Sequence, residues 1–530
     1  MYQVIFSFLP VALLIFLMTK KNNMPSHKAL PVVAVVLYFL SLLVFERLPN
    51  LVHAAVVQGL LTALTPISII WGAILLFKTM EKSGAMAIIQ KWLNTVSSNR
   101  IAQLMIVGWA FPFLIEGASG FGTPAALAAP VLVGLGFKPL KVAIMVLIMN
   151  TIPVSFGAVG TPTWFGMSGI EDLSSAEIIE IGVKSVIIHG VAALFIPICA
   201  LMFVVKRSEI IKNIGFIYLS IAATVIPYIV VAFFSYEFPA LIGGFLGLIC
   251  SVFFAHKGWG LHKDETENQD AVNQPTVTTS ELLKASFPLY GTILILVITR
   301  IQQLGIKPLL ISAENSYDIA LGSFAMFKIS PSLVISLNEI FGTNISWSHK
   351  ILYVPSLIPF VLIVVISFFV FKMKTQAIKE VFSISIDQMR LPVYSLLAAL
   401  VFVKLMMLGG ESSAVAEIGQ SLAASCGSMW QIFAAYLGAI GSFFSGSNTI
   451  SNLTFGSIQD SIAGTLSLNR TTILALQSVG GAMGNMICIN NIVAVCSVLA
   501  LNNKEGYILK RTVLPLIFYG IIAAIVSYFL

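Results

Sequence analysis

The chain is short of charge. Of its 530 residues only 10% are Asp, Glu, Lys or Arg, while 58% are hydrophobic and the mean hydropathy is +0.95. A soluble protein clothes its surface with roughly 25% charged residues, so a water-soluble enzyme is excluded. So is a disordered chain, which could not leave this much apolar surface in water. Cysteine is scarce as well. Cys199, Cys250, Cys426, Cys488 and Cys496 show no CxxC spacing, which argues against a disulfide framework or a zinc site. No nucleotide-binding loop, metal cluster or cofactor motif appears, so neither ATP hydrolysis nor a cofactor is expected. The small basic excess, 30 Lys and Arg against 23 Asp and Glu, is no sign of nucleic acid. In a membrane protein it marks cytoplasmic loops.

What the chain has in abundance is apolar runs of the ~20 residues that cross a bilayer. Stretches such as 2–18, 51–77, 391–408 and 512–530 predict an all-α polytopic membrane protein with about a dozen transmembrane helices. The first run lacks a basic n-region and an A-x-A cleavage site and is followed by Lys20 and Lys21. It reads as a retained span with the N-terminus outside. Residues 101–137 and 430–466 differ: each holds two apolar arms around a polar, Gly-rich centre. An arm of about 15 residues covers about 22 Å, short of the ~30 Å hydrocarbon core. Both are therefore expected to be re-entrant hairpins that enter and leave on one side.

The basic residues agree with that reading. It puts Lys78, Lys82, Arg100, Lys138, Lys206, Lys372, Lys379, Arg390, Lys510 and most of the others in the cytoplasm, and both termini outside. Only Arg47, Lys184, Lys307, Lys328, Lys350 and Arg470 fall in external connections. The first hairpin then dips in from the cytoplasm and the second from outside, each followed by a span interrupted by Gly, Pro or Asn. That is the pattern of an inverted repeat. The expected organisation is an N-terminal membrane repeat over 1–256, a cytoplasmic linker over 257–286, and a C-terminal repeat over 287–530. Within the last lies an external loop, 302–350, whose fold the sequence leaves open.

Non-helical backbone inside a bilayer is tolerated only against protein or a water-filled cavity, so each break is a candidate site. The first reads FLIEGASGFGTPAALAAP. Gly117, Gly120 and Gly122 permit a tight tip, Thr123 is a helix cap and Pro124 a first helical residue. The restarted half-helix aims its positive end at mid-membrane, a seat for an anion. Glu116 stands at this tip. An ionised carboxylate there is costly, so it is a candidate proton carrier, the plain alternative being a carboxylate that only fixes the turn. The second break, GSFFSGSNTISNLTFGSIQD, offers Ser447, Asn448, Thr449 and Asn452 as neutral donors and acceptors for a carboxylate, a hydroxyl or a desolvated Na⁺. The interrupted spans add Asn150, Thr151, Pro153 and Ser155 on one side, and Gly480, Gly481, Gly484 and Asn485 on the other. Arg300 is a further candidate partner for a carboxylate, or a snorkelling residue. His53 and His189 read as helix-packing histidines.

At these two breaks the chain resembles the bacterial lactate permease family over nearly its whole length. EGASGFGTPAALAAPVLVGLGFKP, followed by NTIPVSFGAVGTP, is close to that family's signature; GSFFSGSNTISNLTFGSIQ, with GGAMGN after it, resembles the C-terminal counterpart. The resemblance implies proton-coupled import of L-lactate, D-lactate or glycolate across the cytoplasmic membrane, by an inverted-repeat transporter. It also implies hairpins that move as a block, and related folds point to a homodimer. Two positions depart from the family pattern: Asn448, where Asp is usual, and Asn485, where Lys is usual. The changes remove charges of opposite sign, so no unpaired charge is stranded, but they leave sodium coupling open beside proton coupling. Rival readings are a passive channel and, from Gly117-Ala118-Ser119-Gly120 with His189, an intramembrane serine protease.

Overall fold

The computed structural model describes residues 2–19, 24–120, 123–262, 277–300, 304–354, 357–501 and 504–530. Gly122 and residues 263–276 of the linker lie outside them. Among the described residues seven helices are long and apolar enough to cross a membrane, or eight with the bent pair Pro139–Met149 and Val154–Trp164 counted as one span. The expected dozen is not reached by this count. Several elements are too short to cross singly, such as Ile196–Leu201, whereas the broken run Arg470–Cys496 is one of the seven.

The chain forms two compact units, each drawing on both halves of the sequence: residues 1–86 with 283–425, and residues 87–282 with 426–530. In the first unit the 33-residue helix Thr375–Met407 packs along Ser26–Leu43, Pro49–Thr62 and Leu64–Lys82. Lys82 and Glu380 close one end of that group with an ion pair of 2.7 Å. The loop that the sequence left open folds as a four-stranded antiparallel sheet in the order β1 (Tyr317–Ala320), β2 (Met326–Ile329), β3 (Val334–Asn338), β4 (Trp347–Lys350). Leu337 and Trp347, directly opposed on β3 and β4, turn inward on Ala54, Ala325 and Ile340, and β4 alone shows the alternating burial of a half-buried strand. Asp318 and Lys328, directly opposed on β1 and β2, pair across the solvent face at 2.8 Å.

Where the two hairpins were expected the second unit holds two helical pairs; the outgoing arm of the first, Arg100–Ala118, is itself long and apolar enough to cross a membrane, unlike the short arm expected. The first runs Arg100–Met105, a π-helical turn Ile106–Ala110 and Phe111–Ser119, then returns as Thr123–Gly134. The second runs Trp430–Ser445 and returns as Asn448–Thr465. Helix Arg470–Gly484 packs so tightly on the second hairpin that a Cβ at Gly480 would collide with the Ala435 carbonyl; small residues permit such backbone approach. Amides bind these three helices together. Gln459 accepts from Trp430 Nε1 at 2.8 Å and donates to the Ala434 carbonyl at 2.8 Å and Gln477 Oε1 at 3.1 Å. Gln477 in turn donates to Ser451 Oγ at 3.0 Å and Asn452 Oδ1 at 3.3 Å.

One end of this unit is ionic. Arg470 grips Asp460 with two hydrogen bonds, 2.6 and 3.1 Å, and reaches Glu177 at 3.1 Å. Lys184 bonds Glu180 at 2.9 Å and the hydroxyls of Thr471 and Thr472 at 2.8 and 2.9 Å. Hydrogen bonds from the Ser174 backbone and hydroxyl, which cap helix Ser175–Ala193, hold the Glu177 carboxyl below its usual range.

Candidate functional site

The bent span supplies the irregular backbone that the sequence led us to expect. Pro139–Met149 ends at Asn150, and the chain restarts after a 61° bend. Within the restart, Ala158, Val159 and Gly160 all lie in the left-handed region (φ 44°, 58° and 68°). Valine there is an outlier, since its branched Cβ crowds the carbonyl, and such strain persists only where surrounding packing fixes it. Gly160 is required on steric grounds too: a Cβ would collide with the Tyr236 carbonyl. The freed carbonyls are satisfied locally, as a low-dielectric interior demands. Thr163 Oγ1 donates to Ser155 O at 2.7 Å, Trp164 Nε1 to Val159 O at 3.1 Å, and Asn452 Nδ2, from the second hairpin, to Pro162 O at 2.9 Å.

Against this bend the second unit gathers a narrow crevice. Glu116 and Gly120 of the first hairpin, Val154, Gly157, Ala158 and Pro162 of the bent span, Gly446 to Thr449 of the second hairpin, and Asn485 line it. The free space is about 10 Å³, room for one water.

Two walls are chemically opposite. On one, Glu116 is 2% exposed; Asn150 Nδ2 donates to its Oε2 at 3.0 Å, and Oε1 occupies space that a side chain at Gly157 would fill. On the other stands the start of the 18-residue helix Asn448–Thr465, capped by Ser447 Oγ accepting from Ile450 N at 3.3 Å. First-turn amides such as those of Asn448 and Thr449 have no intrahelical acceptor, and the helix dipole gives this end a partial positive charge.

Behind the second wall runs a hydrogen-bonded chain. Asn448 Nδ2 donates to Ser478 O at 3.0 Å, and Ser155 Oγ reaches the same carbonyl at 3.1 Å. Ser155 Oγ also lies 2.8 Å from His189 Nε2, and His189 Nδ1 bonds the Tyr519 hydroxyl. Every proton is used if Tyr519 donates to Nδ1, Nε2–H donates to Ser155, and Ser155 donates to Ser478 O, a tautomer assigned from the hydrogen bonds. His189 is thus a histidine bound on both nitrogens, one of them to Ser155. Replacing it by Leu strands the buried Tyr519 hydroxyl, while Ser155 keeps its bonds to Ser478, and is expected to cost about 1–3 kcal/mol. The readout is a lowered thermal midpoint of the purified protein, largely restored by His189→Gln.

Of the sequence-derived candidates, Glu116, Gly120, Ser447, Asn448, Thr449 and Asn485 meet at the crevice. Asn150 stands behind Glu116. Thr151 bonds its own helix at Ile148 O, and Asn452 holds the bent span, so both are supports and not lining residues. Arg300 ends helix Thr279–Arg300, and Thr123 begins Thr123–Gly134; the side chains of both, like Gly122, lie outside the described residues. Sequence reasoning missed Ser442, Gln459, Gln477, Ser478 and Tyr519. The two glutamines carried a usable signal, an amide within an apolar run; Tyr519 carried none.

Comparison with known proteins places this geometry. The L-lactate permease family model matches residues 3–530. A Haemophilus influenzae protein, whose name assigns it provisionally to L-lactate transport, is 51% identical over 530 residues, covering 100% of this chain and 99% of its own. The L-lactate permease of Bacillus subtilis is 27% identical over 89% of this chain and 86% of its own; the glycolate permease GlcA of Escherichia coli is 26% identical over 98% and 93%. Among solved structures, MtrF of Neisseria gonorrhoeae aligns with 97% of this chain and 96% of its own at a TM-score of 0.48 and 14% identity, too loose a likeness to carry function. The match along the full length settles the lineage: the chain belongs to the L-lactate permease family.

Proposed function

We propose that this protein is a secondary active transporter of the cytoplasmic membrane that imports a small monocarboxylate, L-lactate, D-lactate or glycolate, by proton symport, with both termini outside. The observation that carries the reading is the crevice in which the Glu116 carboxylate faces the positive end of helix Asn448–Thr465. The helix end, Ser447 and Thr449 seat the substrate carboxylate. Glu116 takes the proton: protonated, it no longer repels the bound anion, and anion and proton enter together as a load that adds no net charge. A neutral load crosses the bilayer interior at far lower cost than a charged one. The relatives named for L-lactate and glycolate transport support the substrate class.

Sodium coupling is the second reading, favoured by one observation. Asn448 Oδ1 and Ser442 Oγ are buried without hydrogen-bond partners, and both lie against Gly481. Unpartnered oxygens of this kind are what a hard cation takes as ligands.

Labelled L-lactate, D-lactate and glycolate supplied to proteoliposomes under an imposed proton or sodium gradient test both. Accumulation driven by an inward proton gradient supports the first reading. Accumulation that follows sodium at clamped pH supports the second. Equilibration without accumulation under either gradient indicates a passive channel, and no movement of any of the three acids overturns the substrate class.

A further inference from the structure

The first compact unit holds a second, larger space far richer in apolar surface, a cavity of about 350 Å³ between helices Leu64–Lys82 and Thr375–Met407. Ile67, Ile386, Met389 and Val393 give it hydrocarbon walls, and Trp71, Arg390 and Tyr394 complete it. Two polar groups at this cavity are unanswered. Trp71 Nε1 is buried with no hydrogen-bond acceptor. Arg390 is exposed and forms no ion pair or hydrogen bond among the described residues.

Both helices are apolar enough to span a bilayer. Ile386, Leu391 and Tyr394 are 55%, 54% and 58% exposed beside the cavity, as lipid-facing residues are. The exposed Lys82–Glu380 ion pair lies on the aqueous side, so the bilayer surface falls between it and the cavity. The cavity lies about ten residues inward from it, about 15 Å at the helical rise. A guanidinium and an indole N–H are donors only, so what answers them must bring negative charge and acceptor oxygens. Hydrocarbon walls at the same place ask for a chain. One ligand class meets both demands from within a bilayer: a lipid with an anionic phosphate headgroup. Arg offers that phosphate a planar fork that Lys cannot, and Trp and Tyr are the aromatic residues that favour the membrane interface.

We propose that this cavity binds an anionic phospholipid from the leaflet facing the Lys82–Glu380 end. Its phosphate accepts from Arg390 and from Trp71 Nε1–H, and part of one acyl chain fills the space between Ile67, Met389 and Val393. The assignment stands apart from the transport site and does not depend on the substrate.

Native mass spectrometry of the full-length protein, titrated with phosphatidylglycerol or with phosphatidylcholine of the same chains, tests it. The expected result is one phosphatidylglycerol retained per chain with at least tenfold preference over phosphatidylcholine. Arg390→Gln should weaken that binding at least tenfold, Trp71→Phe severalfold, and Arg390→Lys less than Arg390→Gln. Equal retention of the two lipids, or unchanged phosphatidylglycerol binding in Arg390→Gln, overturns the proposal. So does an equal loss in Lys379→Gln, an exposed charge away from the cavity, which would mean diffuse surface attraction. Displacement of the lipid by millimolar inorganic phosphate would show that the acyl chain is not held, and overturns it as well. Where a variant is too unstable for spectrometry, the rise in thermal midpoint on adding phosphatidylglycerol replaces it: wild type should gain and Arg390→Gln should not, and equal gains refute the site.

Discussion

Glu116→Gln abolishes uphill transport while leaving exchange of labelled for unlabelled lactate in place. The reasoning follows from the crevice. Gln keeps the size of Glu and can still meet Asn150, whose Nδ2 lies 3.0 Å from Glu116 Oε2, so the walls stay where they are. What it cannot do is gain and lose a proton. An electroneutral one-to-one symporter in a one-unit inward pH gradient accumulates its acid up to about tenfold, because one unit is worth about 1.4 kcal/mol. The variant's accumulation ratio should fall to about one. Equilibrium exchange, which needs only the loaded site to cross, should continue at a rate close to wild type, since the Gln side chain is as uncharged as a protonated Glu116. A variant that still concentrates lactate with the proton gradient would remove Glu116 from the coupling step. The same variant under a sodium gradient separates the two coupling readings: sodium-driven accumulation that survives the substitution belongs to the unpartnered oxygens of Asn448 and Ser442.

The second large effect is expected at Gly481. A Cβ there would overlap Asn448 Oδ1 and come within 3.4 Å of Ser442 Oγ. Asn448 cannot rotate away freely, since its Nδ2 is tied to Ser478 O. Gly481→Ala therefore pushes on the tip of the second hairpin. Overpacking of this kind typically costs about 1–3 kcal/mol. Spent on the loaded site, that is about a 5- to 150-fold rise in the apparent KM for lactate uptake, with the maximal rate changed much less. Gly480→Ala is the contrast. Its Cβ would strike the Ala435 carbonyl, away from the crevice, so it should lower the thermal midpoint and the yield of folded protein and leave the KM of what folds nearly unchanged. If Gly481→Ala merely reproduces that pattern, the tip has no direct part in holding substrate.

Much of this was legible in the residues. Scarce charge and long apolar runs give a membrane protein by simple partition energetics. The two Gly-rich centres between short apolar arms mark helical pairs, because Gly446 and Gly120 adopt conformations that residues with a Cβ avoid. Ser447, offered as a substrate group, proves to cap the helix that follows it. Candidates were lost or demoted where long-range contacts decide. Thr151 and Asn452 have the right chemistry for a substrate site, yet Thr151 is spent on its own helix and Asn452 on Pro162 O. The count of spans was obscured because broken and short helices bury themselves against neighbours and need not cross singly. The external loop, short of any single strong signal, became a sheet only through pairing of strands with Ala54 beneath them.

The sequence alone thus determined the solvent, the positions where the helices break and which side chains are offered there, since hydropathy, glycine and capping chemistry act within a few residues. The tertiary structure decided which of those side chains meet. It set Glu116 across from a helix start more than three hundred residues further along the chain, and joined Asn448 to Ser478, Ser155, His189 and Tyr519 through bonds that span the second unit. Such pairings depend on where whole helices pack, and packing is settled by the summed contacts of many residues rather than by any one of them.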